Sequence, residues 1–377
     1  MNSSYINAIG TAVPPHQIAQ PDIARFMADA LSLSEEKRRR LTALYRASGI
    51  HYRYSVLPDY GKENGDFSFF PNTPGLVPFP DLQKRMQLYH QEALPLSVSA
   101  VEDCLRQAPD VPREDITHLI YVSCTGLYAP GVDIALIHAL ELSTHVQRTA
   151  INFMGCYAAF NGLKIADSIV RANPEAKVLM VCTELCSIHF QKGDDEDNLL
   201  ANALFADGSA AVLISGENLP GQMQLSMEQF YCDLIPEGSP DMAWQVGSTG
   251  FEMRLSAYVP TLIHREVKQL THRLLGTLAY DAPPEELAAT VDYYTIHPGG
   301  KRILQLVEEA LGLEKQANEY AYQVLQQYGN MSSPTILFVL AALWHNLTAR
   351  DDNKQILGMA FGPGLTLESS LFRVAVV

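Results

Sequence analysis

Residues 116–124, ITHLIYVSC, form the first of two apolar runs that decide the fold, and residues 176–182, AKVLMVC, form the second. Both runs are rich in β-branched and aliphatic side chains, which is typical of strands buried on both faces of a parallel sheet. Between them, residues 156–172 carry apolar side chains at helical spacing, and Asn173-Pro174 ends that pattern. The order strand, helix, strand predicts an α/β architecture.

The second half of the chain repeats this order with different residues. Residues 290–296, TVDYYTI, predict a strand that ends at His297, and an amphipathic helical pattern follows it. Residues 335–347 predict a second, strongly apolar helix. Both halves also close with glycine-containing turns, at 205–208 and at 361–364. The pattern indicates a duplicated unit, which we divide into residues 1–218 and 219–377.

Length and charge limit the classes of function. A chain of 377 residues that is 47% hydrophobic can bury a large core. The formal net charge of −15 argues against nucleic acid or an anionic membrane as the main partner, because both attract positive potential. The apolar run at 336–344 is far shorter than the roughly 20 residues that span a bilayer. The start of the chain lacks a signal-peptide pattern, so we expect a cytoplasmic protein.

Six cysteines embedded in apolar stretches do not indicate a disulfide framework. Cys182 and Cys186 lack a second pair downstream, and His189 alone does not complete a zinc site, so we expect no metal. The acidic run 194–197 lacks the spacing of a calcium loop and is interpreted as a solvated loop. Residues 54–80 are rich in proline, glycine and asparagine, which predicts a long covering loop beside a substrate site.

Three residues could carry chemistry. Cys156 lies in NFMGCYAAFNG, where Gly155 permits a tight turn and a helix start favours a thiolate, although a buried structural cysteine fits this segment equally well. His297 in YTIHPGG ends a predicted strand, and Asn330 in QYGNMSSPT follows a glycine. Taken singly, His297 is explained as a structural histidine and Asn330 as a turn residue.

Their combination resembles the type III polyketide synthases, the chalcone and stilbene synthase family of thiolase-fold condensing enzymes. The motifs that carry the resemblance occur in family order over nearly the whole chain: GTAVPPH, GCYAAFNGL, NALFADGSAAVL, IHPGGKRIL, YGNMSS and FGPGLTLE. The resemblance implies a thiolase-like fold, in which duplicated βαβαβ halves pack as a layered α/β/α/β/α sandwich. It also implies a homodimer and no permanently bound cofactor.

The resemblance assigns a role to each of the three residues. Cys156 is similar to the acyl-bearing nucleophile, and His297 and Asn330 are similar to the pair that holds the thioester oxygen. Phe205 resembles the gatekeeper between the coenzyme A tunnel and the cavity, although a lone phenylalanine is more often ordinary core. The implied substrates are a starter acyl-CoA and malonyl-CoA.

The chemistry of the family explains why it needs these groups. His297 can lower the pKa of Cys156 by ion pairing, and the thiolate then takes the starter acyl group. Decarboxylation of malonyl-CoA leaves an enolate whose oxygen needs fixed donors, which a neutral histidine and an asparagine supply. Repeated condensation followed by ring closure would give a chalcone, pyrone, resorcinol or phloroglucinol type of product.

Several positions depart from the plant pattern, so the starter and product do not follow from the resemblance. Met253 stands at the second gatekeeper position, and Trp244 stands where plant cavities have a glycine; both are also explained as packing. The other pocket positions implied by the resemblance are Cys124, Thr125, Cys186, His189 and Ser332.

Four basic residues are candidates for binding the phosphates of coenzyme A, with Arg40 first: Arg40, Arg46, Lys301 and Arg302. A solvated helix face explains most of these side chains equally well.

Two other enzyme classes compete with this interpretation. A ketoacyl synthase III shares the cysteine, histidine and asparagine but condenses once, with a malonyl carrier protein. A thioester hydrolase would use Cys156 and His297 and has no need of Asn330. A non-catalytic binding protein is a weaker alternative, because all three reactive positions are present. The number of extensions made from malonyl-CoA, and the effect of Asn330→Ala, would separate these classes.

Overall fold

The computed structural model describes residues 3–217, 223–256, 258–276 and 290–376. Up to residue 217 the elements are β1 (Tyr5–Ala12), β2 (His16–Ala19), α1 (Gln20–Ala30), α2 (Glu35–Ala47), β3 (Tyr52–Ser55), α3 (Leu82–Gln107), β4 (His118–Ser123), α4 (Val132–Ala139), β5 (Gln147–Asn152), α5 (Ala158–Ala172), β6 (Lys177–Leu185), α6 (Glu196–Leu204) and β7 (Asp207–Ser215). From residue 223 they are β8 (Met223–Leu234), β9 (Met242–Gly247), β10 (Gly250–Leu255), α7 (Val259–Gly276), β11 (Tyr293–Ile296), α8 (Lys301–Leu311), α9 (Glu319–Tyr328), α10 (Thr335–Trp344), β12 (Gln355–Gly362) and β13 (Thr366–Val376). Among the helices of these residues, none is long and apolar enough to cross a membrane.

Nine strands form one mixed sheet in the order β11-β12-β13-β8-β1-β7-β6-β4-β5. β4 pairs in parallel with β5 and β6, and β7 runs antiparallel to β6 and β1. The two parts of the sheet meet where β1 pairs with β8 through two residue pairs, Tyr5 with Ser226 and Ile6 with Leu225. Each half of the chain therefore builds its own part of this sheet, and the short β1–β8 ladder joins the two parts.

Helices lie on both sides of each half-sheet. α5 and α10 lie between the halves, because α5 contacts β4, β6 and β13, and α10 contacts β1, β7 and β11. α3 covers the outer face of the first half through β1, β6 and β7, and α7 covers the outer face of the second half through β8 and β13. The predicted α/β fold with layered α/β/α/β/α packing is confirmed.

The elements predicted from apolar periodicity are present with shifted ends. The runs at 116–124 and 176–182 form β4 and β6, and the helical pattern at 156–172 forms α5. The strand predicted at 290–296 begins at Tyr293, and the helix predicted at 335–347 ends at Trp344. Beyond it the Asn346 and Leu347 N–H groups donate to the carbonyls three residues earlier, and the side chains of His345 and Asn346 bond to the carbonyls of Ala341 and Ala342. The predicted boundary at residues 218–219 lies outside the described residues.

Residues 54–80 are mostly irregular, as expected for a covering segment. Asp59 holds this segment together, because its carboxylate accepts hydrogen bonds from the backbone N–H groups of Ser68, Phe69 and Phe70 at 2.8–2.9 Å. The Phe70 ring then packs against Phe26 of α1 and against Phe190. The segment thus closes one side of the molecule with a fixed aromatic cluster.

Gly10 sets the distance between the outer helix and the first half-sheet. A Cβ atom built on Gly10 of β1 would lie 2.1 Å from the backbone nitrogen of Cys104 and 2.3 Å from the carbonyl oxygen of Ala100, both on α3. Backbone atoms of a buried helix cannot move aside singly, so the whole helix would have to shift. Only a residue without a side chain permits this approach.

We therefore expect Gly10→Ala to lower the free energy of unfolding by about 1–3 kcal/mol or more, the usual cost of overpacking. Gly61→Ala is a matched control, because a Cβ there would meet the Ile18 side chain at an ordinary 3.5 Å. Urea denaturation followed by circular dichroism measures both changes. Equal midpoints for the two variants would contradict the packing argument.

Candidate active site

Cys156 lies in a single 3-10 turn, Gly155–Tyr157, between β5 and α5. Gly155 has φ 78°, and a Cβ on it would lie 2.2 Å from Cδ of Pro363, so this position requires glycine. The Gly155 N–H donates to Sγ of Cys124 at 2.9 Å, which anchors the turn to the end of β4. Cys156 is buried in the protein and borders a cavity.

This main cavity has a volume of about 850 Å³, counted to its open mouth. It brings together residues from both halves of the chain that are far apart in sequence. All the pocket positions predicted from the resemblance line it: Cys124, Thr125, Cys186, His189, Phe205, Trp244, Met253 and Ser332. Phe190, Ile23 and Met27 add an apolar wall that was not predicted.

Asn330 is fixed by both its backbone and its side chain. Its backbone N–H donates to the carbonyl of Leu204 at 2.9 Å, and its carbonyl accepts from the N–H of Ala206 at 2.8 Å, so it pairs with the segment around Phe205. Oδ1 accepts from the Ser332 N–H at 2.8 Å, which orients the amide. Nδ2 then faces the carbonyl of Gly299 at 3.3 Å and the sulfur of Cys156 at 4.0 Å.

His297 follows β11, and its backbone N–H continues the ladder to Met359 of β12 at 2.8 Å. Its carbonyl accepts from the Gly299 N–H at 2.9 Å, so the imidazole belongs to the turn that Asn330 also contacts. The side chain is 1% exposed, and both ring nitrogens are buried without a hydrogen-bond partner. A buried imidazole with both nitrogens unpaired is costly unless a ligand uses them.

Burial keeps both reactive groups neutral. It raises the pKa of Cys156 to about 11, against hydrogen bonds from Ser332 and Asn330 that lower it. It lowers the pKa of His297 to about 3. Desolvation thus opposes the thiolate–imidazolium pair expected from the sequence, since it raises the pKa of the thiol and lowers that of the imidazole.

One wall of the cavity is a set of interlocked rings. The His189 imidazole stacks on Phe251 with centroids 4.2 Å apart, accepts from the Phe251 N–H at Nδ1 (2.9 Å) and donates from Nε2 to the Thr125 carbonyl (2.7 Å). Burial lowers the pKa of His189 to about 3, so it is a neutral structural group. Trp244 packs edge-on against both rings, and its indole N–H donates to the Cys124 carbonyl at 2.7 Å.

Sequence reasoning missed a buried carboxylate behind the cavity. Glu184 is 0% exposed; Oε1 accepts from the Ser333 hydroxyl at 2.6 Å, and Oε2 accepts from the Cys124 N–H at 2.8 Å and the Thr125 hydroxyl at 2.7 Å. Burial raises its pKa, and these hydrogen bonds lower it. A glutamate two residues after the apolar run at 176–182 was the signal that could have revealed it.

Comparison with known proteins decides which family this site belongs to. The family model of the N-terminal domain of chalcone and stilbene synthases matches residues 2–218, and that of the C-terminal domain matches residues 222–376. The chain belongs to the chalcone and stilbene synthase family. It is therefore a type III polyketide synthase by family, and the resemblance expected from the sequence is confirmed.

Individual relatives agree with this assignment. The alpha-pyrone synthesis polyketide synthase-like protein of Mycobacterium tuberculosis is 29% identical over 374 residues, 98% of this chain and 91% of that protein. A Dictyostelium discoideum protein named as a polyketide synthase is 30% identical over 380 residues; this chain spans only 12% of its length. The crystal structure of the C-terminal type III polyketide synthase domain of a Dictyostelium type I/III hybrid matches with a TM-score of 0.90, at 27% identity and full coverage of both chains.

The four basic residues of this type III polyketide synthase do not come together. Lys301 and Arg302 line a second cavity, of about 650 Å³, with Leu204, Gly300 and other residues of α2, α6 and α7. Arg40 is paired with Glu36 at 2.5 Å on the exposed face of α2 and lines neither cavity. Arg46 borders a separate surface depression with residues of α1. The candidates for phosphate binding are therefore divided between the second cavity, the surface depression and an exposed helix face.

These pKa shifts give a prediction about the synthase's cysteine. Burial raises the pKa of the Cys156 thiol to about 11 in the wild-type chain, so the thiol should alkylate slowly at pH 7 unless a base accepts its proton. His297→Gln removes the proposed base, and it should therefore show this slow rate and react faster as pH rises towards that value. If the wild-type imidazole accepts the thiol proton, the wild-type rate at pH 7 should be higher. Peptide mapping after iodoacetamide treatment separates Cys156 from the exposed Cys232. Identical pH profiles for the two proteins would show that His297 does not assist ionisation.

Proposed function

We propose that this protein loads a starter acyl group from an acyl-CoA onto Cys156, extends it repeatedly with malonyl-CoA, and releases a cyclised polyketide. One observation carries the proposal: Cys156 borders a largely apolar cavity with Asn330 4.0 Å from its sulfur, in a chain of this family. A hydrolase needs no carboxamide at that place, whereas a decarboxylating enzyme needs a fixed donor for an enolate.

The second cavity is the proposed entry for coenzyme A thioesters. Leu204 lines the second cavity and the next residue, Phe205, lines the main cavity, so the end of α6 separates the two spaces. Lys301 and Arg302 would meet the coenzyme A phosphates there, since these two side chains line it in an otherwise acidic protein. Arg40 could bind a coenzyme A phosphate only if it gave up its ion pair with Glu36. Arg46 lines a separate depression, so its side chain would have to turn to the other side of α2 to contact a phosphate in the second cavity.

Acylation of Cys156 requires that its thiol proton moves to a base. His297 is the proposed base, because both of its nitrogens are buried without a partner and it lies on the turn that Asn330 contacts. The thiolate attacks the starter carbonyl, and coenzyme A leaves with the proton. Malonyl-CoA then loses carbon dioxide, and the enolate oxygen is held by donors from Asn330 and neutral His297 until its carbon attacks the acyl-enzyme.

A dry cavity keeps the enolate from being protonated before it reacts. The rings of His189, Trp244 and Phe251 form one wall of the cavity, and the apolar side chains of Phe205 and Met253 also line it. Trp244 also takes up volume, which favours short extended chains over large multi-ring products. We therefore place a pyrone first among the proposed products, ahead of chalcone, resorcinol and phloroglucinol types. The name of the mycobacterial relative supports this order.

We also propose that two copies of the chain form a homodimer. β5 is an edge strand of the large sheet, and four of its six residues are exposed. Leu127, in the loop between β4 and α4, is 45% exposed. An unpaired edge beside an exposed leucine is suited to pairing with a second chain. Sedimentation equilibrium should give about twice the monomer mass of 41.7 kDa. A mass that stays at one chain over the micromolar range would contradict the dimer.

The central prediction concerns Asn330. Asn330→Ala should reduce malonyl-CoA decarboxylation by about 10²–10³-fold, the usual effect of removing one such donor. Acylation of Cys156 by a starter should be affected less, because the sulfur remains in place. Release of labelled carbon dioxide measures the first step, and intact-protein mass spectrometry measures the second.

Asn346→Ala is the matched control, since Asn346 is exposed and bonds to a carbonyl of its own helix. Products are identified by mass spectrometry after incubation with aromatic and aliphatic acyl-CoA starters. Products with several extensions support iterative condensation. If a single extension dominates, or if Asn330→Ala leaves thioester turnover intact as simple hydrolysis, the ketoacyl synthase or hydrolase alternative replaces this function.

A further inference from the structure

A second polar cluster lies on the wall of the main cavity, apart from Cys156 and Asn330. Ser55, at the end of β3, and Ser187, in the 3-10 turn Cys186–His189, both line the cavity. Behind them lies Asp207, the first residue of β7, which is 0% exposed. The three groups therefore connect a buried carboxylate to the space in which the polyketide would lie.

The hydrogen bonds of this cluster define the direction of each hydroxyl. The Ser187 hydroxyl donates to Oδ2 of Asp207 at 2.6 Å, so its oxygen can only accept from Ser55, at 2.7 Å. The Ser55 oxygen also accepts from the Leu57 N–H at 2.9 Å. Each serine oxygen thus keeps one lone pair and has no spare proton. Toward the cavity, the pair can accept a hydrogen bond but cannot donate one while Asp207 is ionised.

The surroundings of Asp207 favour the ionised form at neutral pH. Burial raises its pKa to about 6, while hydrogen bonds from Ser187 and the Val56 backbone lower it. The charged or titratable groups that interact with it are Arg53, Tyr60 and Cys186. Arg53 is a cation, and burial raises the pKa of Tyr60 and of Cys186, so between pH 5 and 8 Asp207 is the group of this set that titrates.

We propose that Ser55, Ser187 and Asp207 form a proton relay that accepts the enol proton of the extended chain when its enol oxygen closes a ring. The idea rests on the proposed condensing function. Asn330 supplies a donor at the sulfur, whereas ring closure through oxygen needs an acceptor at the other end of the chain. The serine pair is an acceptor on the same cavity wall, backed by a carboxylate.

The step balances in atoms and charge. After the last condensation the extended chain is on coenzyme A, and the Cys156 thiol attacks its thioester carbonyl while coenzyme A leaves with the thiol proton, so the chain is again bound to Sγ. The enol oxygen then forms a bond to this thioester carbonyl carbon, and the bond from that carbon to Sγ of Cys156 breaks, which releases a lactone and a thiolate. The enol proton passes to Ser55, the Ser55 proton to Ser187, and the Ser187 proton to the Asp207 carboxylate. Asp207 then returns one proton, which neutralises the thiolate. Ser55 and Ser187 meet the substrate, and Asp207 is a positioning residue that acts through Ser187.

Thr125 and Glu184 form the rival relay. Thr125 lines the cavity and donates to Glu184 at 2.7 Å. Two observations favour the serine cluster. Ser187 is partly exposed, whereas Thr125 is 1% exposed. The Arg53 cation interacts with Asp207, whereas the main influences on the pKa of Glu184 are burial and hydrogen bonds from Ser333, Cys124 and Thr125.

The test is a single-turnover experiment on the full chain. Acyl-Cys156 is formed first, malonyl-CoA is added, and rapid quenching followed by mass spectrometry gives the rates at which lactone and linear acid leave the enzyme. In the wild type, lactone release relative to condensation should fall as pH drops through about 6, because Asp207 becomes protonated. Ser187→Ala should slow lactone release on the order of 10²-fold at pH 7.5 and flatten this pH dependence. Ser55→Ala should act in the same direction, and Ser187→Thr should restore closure.

Ser97→Ala is the matched control, because Ser97 is a buried serine with two hydrogen bonds and does not line the cavity. If the wild type neither acylates Cys156 nor decarboxylates malonyl-CoA, the proposed function itself fails. If both steps proceed and Ser187→Ala closes rings at the wild-type rate and with the wild-type pH profile, the relay alone is overturned. A loss of the pH dependence in Thr125→Val instead would assign the relay to Glu184 and equally overturn it.

Discussion

The candidate site depends on the way Asn330 joins three distant segments of the chain. Its backbone pairs with Leu204 and Ala206, and its side chain spans from the Gly299 carbonyl to the Cys156 sulfur. The Ser332 N–H fixes the orientation of the amide, so that Oδ1 and Nδ2 each lie 4.0 Å from the Cys156 sulfur. A donor that is already oriented costs no reorganisation when charge develops beside it. Here the backbone on either side of Phe205 holds Asn330 in place.

Burial governs the charge state of the groups around this point. Desolvation keeps Cys156 and His297 neutral and raises the pKa of Glu184 and Asp207, although the two carboxylates are surrounded by hydrogen-bond donors. The cavity wall therefore combines neutral donors near the sulfur with acceptors near Ser187. The proposed stabilisation of an enolate and the proposed removal of a proton require groups of opposite polarity, and this division would place both kinds of group in one cavity.

The sequence predicted most of the fold because its apolar runs are long and the periodicity of α5 is regular. It also predicted the residues that line the cavity, through ordered motifs around Cys156, His297 and Asn330. The charge states were not predictable, because the desolvation of Cys156 depends on packing from segments such as Pro363 that no local pattern reveals. Ser187 and Asp207 were not predictable for a similar reason. Ser187 follows β6 and Asp207 begins β7, and only the pairing of these two strands in the folded sheet brings the residues together. That Arg40 does not line the same cavity as Lys301 was likewise not predictable, because the sequence does not show which face of α2 is exposed.

The packed rings of His189, Trp244 and Phe251 also constrain how the shape of the cavity can evolve. Replacing Trp244 by a small residue would leave the Cys124 carbonyl without its donor and remove the edge contact that supports the stacked His189 and Phe251. A wider pocket therefore requires coordinated substitutions at two or three of the positions 189, 244 and 251, because an unpaired buried carbonyl is unfavourable. Related enzymes with larger cavities would then differ from this chain at all three ring positions together, and not at Trp244 alone.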